Sequence, residues 1–174
     1  KITGIDISKI SIEKAIKEAK LLNLNVEYKV DNCEETSLDS RSYDIVYGAG
    51  ILHHLKLEKC IEEINRILKK DGKMVFMEPL GTNPLINIYR KMTPNSRSED
   101  EHPLIKSDFK FLNKKFNDVE IKYYGFLTLI FFPFYKFPEK SKIFSFLASF
   151  DQLLFKIKFM RLFAWSVLIV GKKI

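Results

Sequence analysis

Asp44-Ile45-Val46-Tyr47-Gly48-Ala49-Gly50-Ile51-Leu52-His53-His54-Leu55 is the stretch on which the chain turns: a short β-branched strand, three small residues, then a His-His pair ahead of a helical pattern. Small residues at a strand's end leave the backbone open to a ligand. What the strand belongs to follows from its flanks.

On the amino-terminal side, Ile2 to Ile7 reads as a buried strand with the acidic Asp6 at its end. Ile12, Ala15, Ile16, Ala19 and Leu22 then recur at helical spacing, with Ser8 or Ser11 as the cap and a stop near Asn23 to Asn25. Val26 to Val30 is a second strand, Asp31 to Ser42 a polar loop with room for one helical turn, and Tyr43 to Tyr47 a third strand. On the carboxyl side, Leu57, Cys60, Ile61, Ile64, Ile67 and Leu68 mark an amphipathic helix that Lys69-Lys70-Asp71-Gly72 closes. Lys73 to Met77 is a fourth strand, ending at Glu78-Pro79.

Strands alternating with helices, the strands continuously apolar, predict a mostly parallel α/β sheet covered on both faces. Ligands in such sheets bind beyond the strands' carboxyl ends, where Asp6, Asn32, Gly48 and Glu78 fall.

Beyond Leu80 the alternation breaks. Gly81-Thr82-Asn83-Pro84 leads into an irregular or helical stretch through Thr93-Pro94, and a charged loop follows from Arg97 to His102. Ile105 to Lys115 reads as a helix. Phe116 to Tyr124 and Ala164 to Val170 read as strands on either side of a Phe-rich helical insertion, about 126–163. In it Ile143, Phe146, Leu147, Phe150, Leu153, Leu154, Ile157 and Met160 share a helical face.

The chain's 174 residues suit one domain carrying an insertion, and a charged fraction of 29% excludes a membrane-embedded chain. Cys33 and Cys60 lack a Cys-x-x-Cys spacing, as expected of reduced thiols in a cytoplasmic protein. The net charge of +7 is uneven: from Phe126 to Ile174, seven Lys and one Arg face only Glu139 and Asp151, among 11 of the 15 Phe. Basic charge interleaved with Phe suits an anionic membrane surface or a greasy substrate better than nucleic acid, for which no recognition module is present. The longest uncharged apolar run, Tyr123 to Tyr135, is 13 residues, short of the roughly 20 that span a bilayer.

Gly4-Ile5-Asp6-Ile7-Ser8 places a carboxylate at a strand end, where it can accept hydrogen bonds from two adjacent ribose hydroxyls. One strand later Asp31-Asn32-Cys33-Glu34 offers groups for an adenine edge, and one strand after that comes Tyr47-Gly48-Ala49-Gly50. In this order the three segments resemble the class I S-adenosylmethionine-dependent methyltransferases, with distant similarity to ubiquinone and menaquinone C-methyltransferases. The resemblance covers Ile2 to about Glu78, and extends to the closing strands Phe116 to Tyr124 and Trp165 to Val170. It implies S-adenosylmethionine as cofactor, Asp6 on the ribose, Ile7 against the adenine, Asn32 and Cys33 at the adenine edge, and Gly48 and Ala49 along the methionine. Asn32 replaces the family's usual acid at its position. Gly81-Thr82-Asn83-Pro84-Leu85-Ile86-Asn87 and Asp100-Glu101-His102-Pro103-Leu104 resemble further family segments. The family's first strand and glycine-rich loop would precede Ile2 by roughly twenty residues. Without that strand, two neighbouring strands are expected to expose unpaired backbone inside the sheet.

Candidate catalytic groups are His102, beside Asp100 and Glu101; Glu78, expected to face the reaction centre; and His53. For the His53-His54 pair the blander reading is a loop under the cofactor, and for His102 a loop-bracing ion pair. Ser98-Glu99-Asp100-Glu101 lacks a metal-ligand spacing, so no metal is expected. The insertion is either a lid packed on the sheet or a lid that dips into a membrane interface or lines a channel for a lipid-like substrate, with Lys136, Lys140, Lys142, Lys156, Lys158 and Arg161 meeting phosphates. Methyl transfer to a small, lipid-like or aromatic acceptor is the leading expectation. A non-catalytic remnant or membrane-surface subunit is its competitor, and a nicotinamide enzyme a weaker one. Expected partners are the acceptor, a peripheral membrane contact and a homodimer, but no nucleic acid.

Overall fold

The structure, a computed structural model, describes residues 1–93, 101–131 and 140–174, of Ile130 the backbone only. Six strands and six helices follow in the order β1 (Ile2–Asp6), α1 (Lys9–Leu21), β2 (Val26–Val30), β3 (Tyr43–Ala49), α2 (Leu57–Ile67), β4 (Leu68–Pro79), α3 (Pro84–Met92), α4 (Lys106–Lys115), β5 (Phe116–Tyr124), α5 (Leu127–Phe131), α6 (Lys142–Leu154) and β6 (Ser166–Lys173). Of the segments read from sequence, most of the charged loop Arg97 to His102, including Asp100, and the insertion's residues 132–139, with Lys136, lie outside the described residues.

The strands form two sheets. β1 and β2 pair in parallel, from Ile2 opposite Val26 to Asp6 opposite Val30. The larger sheet has the order β3-β4-β6-β5, with β3 parallel to β4 and β6 antiparallel to both β4 and β5. No ladder joins β1 to β3 among the described residues. Ile2, Ile45 and Tyr47, on the strands that border this division, stay exposed. Across it the Tyr43 hydroxyl donates to Thr3 Oγ1 at 3.2 Å, at the amino-terminal ends of β3 and β1. At the carboxyl ends the Lys56 amide donates to Glu34 Oε1 at 2.8 Å. The two sheets therefore point their carboxyl ends the same way.

The local reasons are short-range. Ser8 caps α1 through its hydroxyl, which accepts from the Ser11 amide. Asn83 caps α3 by accepting from Leu85 and Ile86, with Pro84 in the first turn, where its missing amide is no loss. α2 buries Cys60, Ile61, Ile64 and Ile67. Cys60, Ile61 and Ile64 join Met74, Phe76, Leu112, Phe116, Val167 and Ile169 in one core on the larger sheet.

One boundary departs from the sequence reading. Lys69 to Gly72 does not cap α2; it is a bulge inside β4, where Tyr43 pairs with Leu68 but Ile45 with Lys73. The left-handed residue is Asp71, φ 63°, rather than Gly72. Gly72 is small for another reason: a Cβ there would come within 2.9 Å of the Lys69 carbonyl oxygen.

Candidate functional site

β1 delivers Asp6 to its carboxyl end, where Oδ1 accepts from the Ser8 amide at 2.7 Å. That bond fixes the carboxylate and leaves Oδ2 without a donor among the described residues, so it can receive a hydroxyl. Ile7 follows with 73% of its surface exposed, an apolar side chain presented to solvent beside a polar anchor. The neighbouring β2 ends in a tight polar loop. Asp31 accepts from the amides of Asn32 and Ser37, and Asn32 Oδ1 accepts from the Glu34 amide at 2.9 Å. Asn32 is thus held in an Asx turn, its carbonyl oxygen already sharing one lone pair. Burial raises the Cys33 thiol pKa, and the negative charge of Asp6 raises it further. The polar groups and surfaces present suit an adenosine: a spare carboxylate oxygen that can accept, an exposed apolar side chain and a rigid polar turn.

Opposite lies the end of β3. A Cβ on Gly48 would fall 2.4 Å from the Phe76 ring, so only glycine lets the core phenyl lie under the strand end. Ala49 is exposed and pairs with Met77. Gly50 turns with φ 63°, its amide donating to the Met77 carbonyl at 2.8 Å.

The loop that follows is pinned from below. Glu78 is buried, and its Oε1 accepts from the amides of Ile51 and Leu52, each at 3.0 Å. Its Oε2 lies 2.8 Å from His53 Nδ1 and also accepts from the His53 amide. Glu78 was expected to face the reaction centre; instead its carboxylate is consumed beneath the loop. Side chains alternate along a strand, so Met77 takes the position over the sheet that Glu78 was assigned. His53 is likewise buried by this pair, whereas His54 is exposed, its ring centroid 4.0 Å from that of His53.

His102 is exposed, with Nε2 3.5 Å from Asp108 Oδ2, and its amide donates to the His53 carbonyl at 2.6 Å. The 102–104 segment is thereby tied to both the histidine loop and β4, since Leu104 donates to the Pro79 carbonyl. Asp6, Ile7, Asn32 and Cys33 gather at one sheet's end, and Gly48, Ala49, His53, Glu78 and His102 at the other's.

The sequence reading expected the insertion to close over a second pocket but did not name the residues that organise it. A cavity of about 730 Å³ opens between the ends of β4, β5 and β6 and the helices α5 and α6, lined among others by Met77, Tyr124, Phe144, Ala148 and Trp165. Its organiser is Asp151, a buried carboxylate on α6. Oδ1 accepts from the Leu127 amide; Oδ2 accepts from the amides of Phe126 and Thr128 and from the Thr128 hydroxyl at 2.7 Å. One side chain so caps α5 and clamps it to α6. The available signal was an acid inside an otherwise apolar helix, which demands donors nearby. Arg161, expected to meet phosphates, turns inward: Nε donates to the Phe155 carbonyl, and the guanidinium lies 5.4 Å from the centre of the Tyr123 ring.

Among the described residues no group of three or more His, Cys, Asp or Glu could hold a metal ion. No helix there is long and apolar enough to cross a membrane.

Residues 1–76 match the family described as a methyltransferase domain. The ubiquinone biosynthesis O-methyltransferase of Pelagibacter ubique is 35% identical over 74 residues, 42% of this chain and 30% of that protein. The demethylmenaquinone methyltransferase of Lactobacillus johnsonii is 30% identical over 102 residues, covering 54% and 42%. The chain thus spans less than half the length of these curated relatives. Among solved structures, a geranyl diphosphate methyltransferase in complex with S-adenosylmethionine superposes over all of this chain and 69% of its own (TM-score 0.66, 15% identity). The PH0226 protein of Pyrococcus horikoshii superposes with a TM-score of 0.62 at 18% identity, covering 100% of this chain and 72% of that one. Residues 1–76 match the methyltransferase domain family, and the chain has the Rossmann-like α/β fold of these solved structures.

Proposed function

We propose that the protein transfers a methyl group from S-adenosylmethionine to a bulky apolar acceptor. The observation that carries this reading is the pairing of Ala49 with Met77. Ala49 ends the strand of the cofactor half, and Met77 lines the apolar cavity, so the two halves of the site meet at one pair of residues.

Bound S-adenosylmethionine would supply a sulfonium-activated methyl group, already reactive toward a nucleophile. The protein's part is placement. Asp6 Oδ2 would hold the ribose, Ile7 would cover the adenine, the 31–34 turn would meet its edge, and Gly48 with Ala49 would line the methionine. On the acceptor side the polar groups are mostly occupied. Asp151 is saturated by α5, Gln152 Nε2 donates to the Tyr123 carbonyl, and Ser149 Oγ donates to the Ser145 carbonyl. The described lining contains no histidine. This favours an acceptor whose reacting atom needs no dedicated base, held by its apolar body.

The test is calorimetric titration of the full-length protein with S-adenosylmethionine, and transfer of labelled methyl to prenylated aromatic acceptors and to their unprenylated counterparts. Asp6→Ala should weaken cofactor binding by about 10- to 100-fold, the value of one or two charge-assisted hydrogen bonds. Unchanged affinity would remove Asp6 from the ribose, and equal turnover of both acceptor sets would remove the apolar assignment.

A further inference from the structure

The helix that roofs the cavity carries a second apolar face. Phe144, Ala148, Asp151 and Gln152 line the cavity, at helical spacing. Ile143, Phe146, Phe150 and Leu153 recur at the same spacing but are exposed, Ile143 and Phe146 by 63% and 67%. The chain continues this outer surface through the exposed Ile157 and Phe159. Phe146 and Phe150 stack on one another, 6.5 Å between ring centres, and so present one aromatic block outward.

Charge decides what this surface fits. Between residues 140 and 163 the single carboxylate is Asp151, and it is buried and spent on α5. The exposed Lys142, Lys156 and Lys158 flank the apolar side chains with no surface acid among them. A second copy meeting this face across a two-fold axis would bring lysines against lysines. An acidic bilayer surface supplies what the face lacks: phosphates for the lysines and an apolar layer for the Phe and Ile side chains. α6 has 13 residues, too few to span a bilayer but enough to lie along one.

We infer that the outer face of α6, with Lys156 to Phe159, is a docking surface for an anionic phospholipid bilayer, which sets the cavity roof against the lipid. This surface is independent of catalysis, so its test leaves the methyl-transfer reading untouched.

The experiment is co-sedimentation of the full-length protein with phosphatidylcholine vesicles, with and without phosphatidylglycerol, at low and high salt. Binding should require phosphatidylglycerol and weaken with salt. Lys156→Ala and Lys158→Ala should each lower the partition by about fivefold, and Ile143→Ser/Phe146→Ser should abolish it. All these positions are exposed, so each variant should keep the wild-type circular dichroism and thermal midpoint. Binding indifferent to phosphatidylglycerol, no binding to either vesicle, or a dimer in solution that Phe146→Ser dissociates would each overturn the proposal.

Discussion

Glu78 and His53 form a buried pair, Oε2 to Nδ1 at 2.8 Å, and the same carboxylate holds the backbone amides of residues 51–53. The end of β4 and the loop after β3 are therefore one mechanical unit. Glu78→Ala would strand three amides and an imidazole in a dry environment. Breaking such a buried pair removes about 3 to 5 kcal/mol. Urea unfolding should show a loss of that order.

Asp151 is the corresponding clamp between α5 and α6. Asn at this position keeps the volume but provides a single acceptor oxygen for four donors, and turns an amide N–H₂ toward the rest. Asp151→Asn should lower stability by about 2 to 3 kcal/mol. Amide exchange should rise first at residues 126–128, while cofactor affinity stays unchanged.

Glu63 carries a pH-dependent share of stability. The Arg66 guanidinium, with help from the Thr36 hydroxyl and amide, lowers its carboxyl from 4.5 to about 2. Its folded value lies below its unfolded one, so the contribution is complete above about pH 4.5 and disappears as pH falls toward 2. Solvent screening keeps it modest, about 1 kcal/mol. Chemical denaturation across that window should show the wild type losing its advantage over Glu63→Gln as the medium is acidified.

Gly48 is constrained by packing rather than by backbone conformation. A methyl group there would overlap the Phe76 ring and reach 2.9 Å from Ile51 Cγ2. Gly48→Ala should destabilise by about 1 to 3 kcal/mol, the ordinary penalty for overpacking. Gly48→Ala/Phe76→Leu should recover most of it in thermal denaturation, and a double variant no better than the single would refute the ring contact as the cause.

The strand ends that carry Asp6, Asn32 and Gly48 were legible in the sequence because their signals are local. Asp6, the Asx turn at Asn32 and the small residues after Val46 each lie at a strand end, and the strands announce themselves by apolar, β-branched runs. The cavity was not, because its lining comes from distant parts of the chain. Met77 meets Tyr124 and Trp165 only through the antiparallel β6, and Asp151 finds its donors 23 to 25 residues upstream.

The sequence alone determined the order of elements, the position of Asp6 and the basic, Phe-rich character of the insertion, all properties of spacing and composition. Tertiary structure decided the direction of each side chain. Strand alternation turned Glu78 beneath the loop and Met77 into the cavity. The demand that a buried charge find donors drew Asp151 inward and left the lysines outside. The lack of a shared ladder between β1 and β3 among the described residues accords with the unpaired backbone already expected from the sequence.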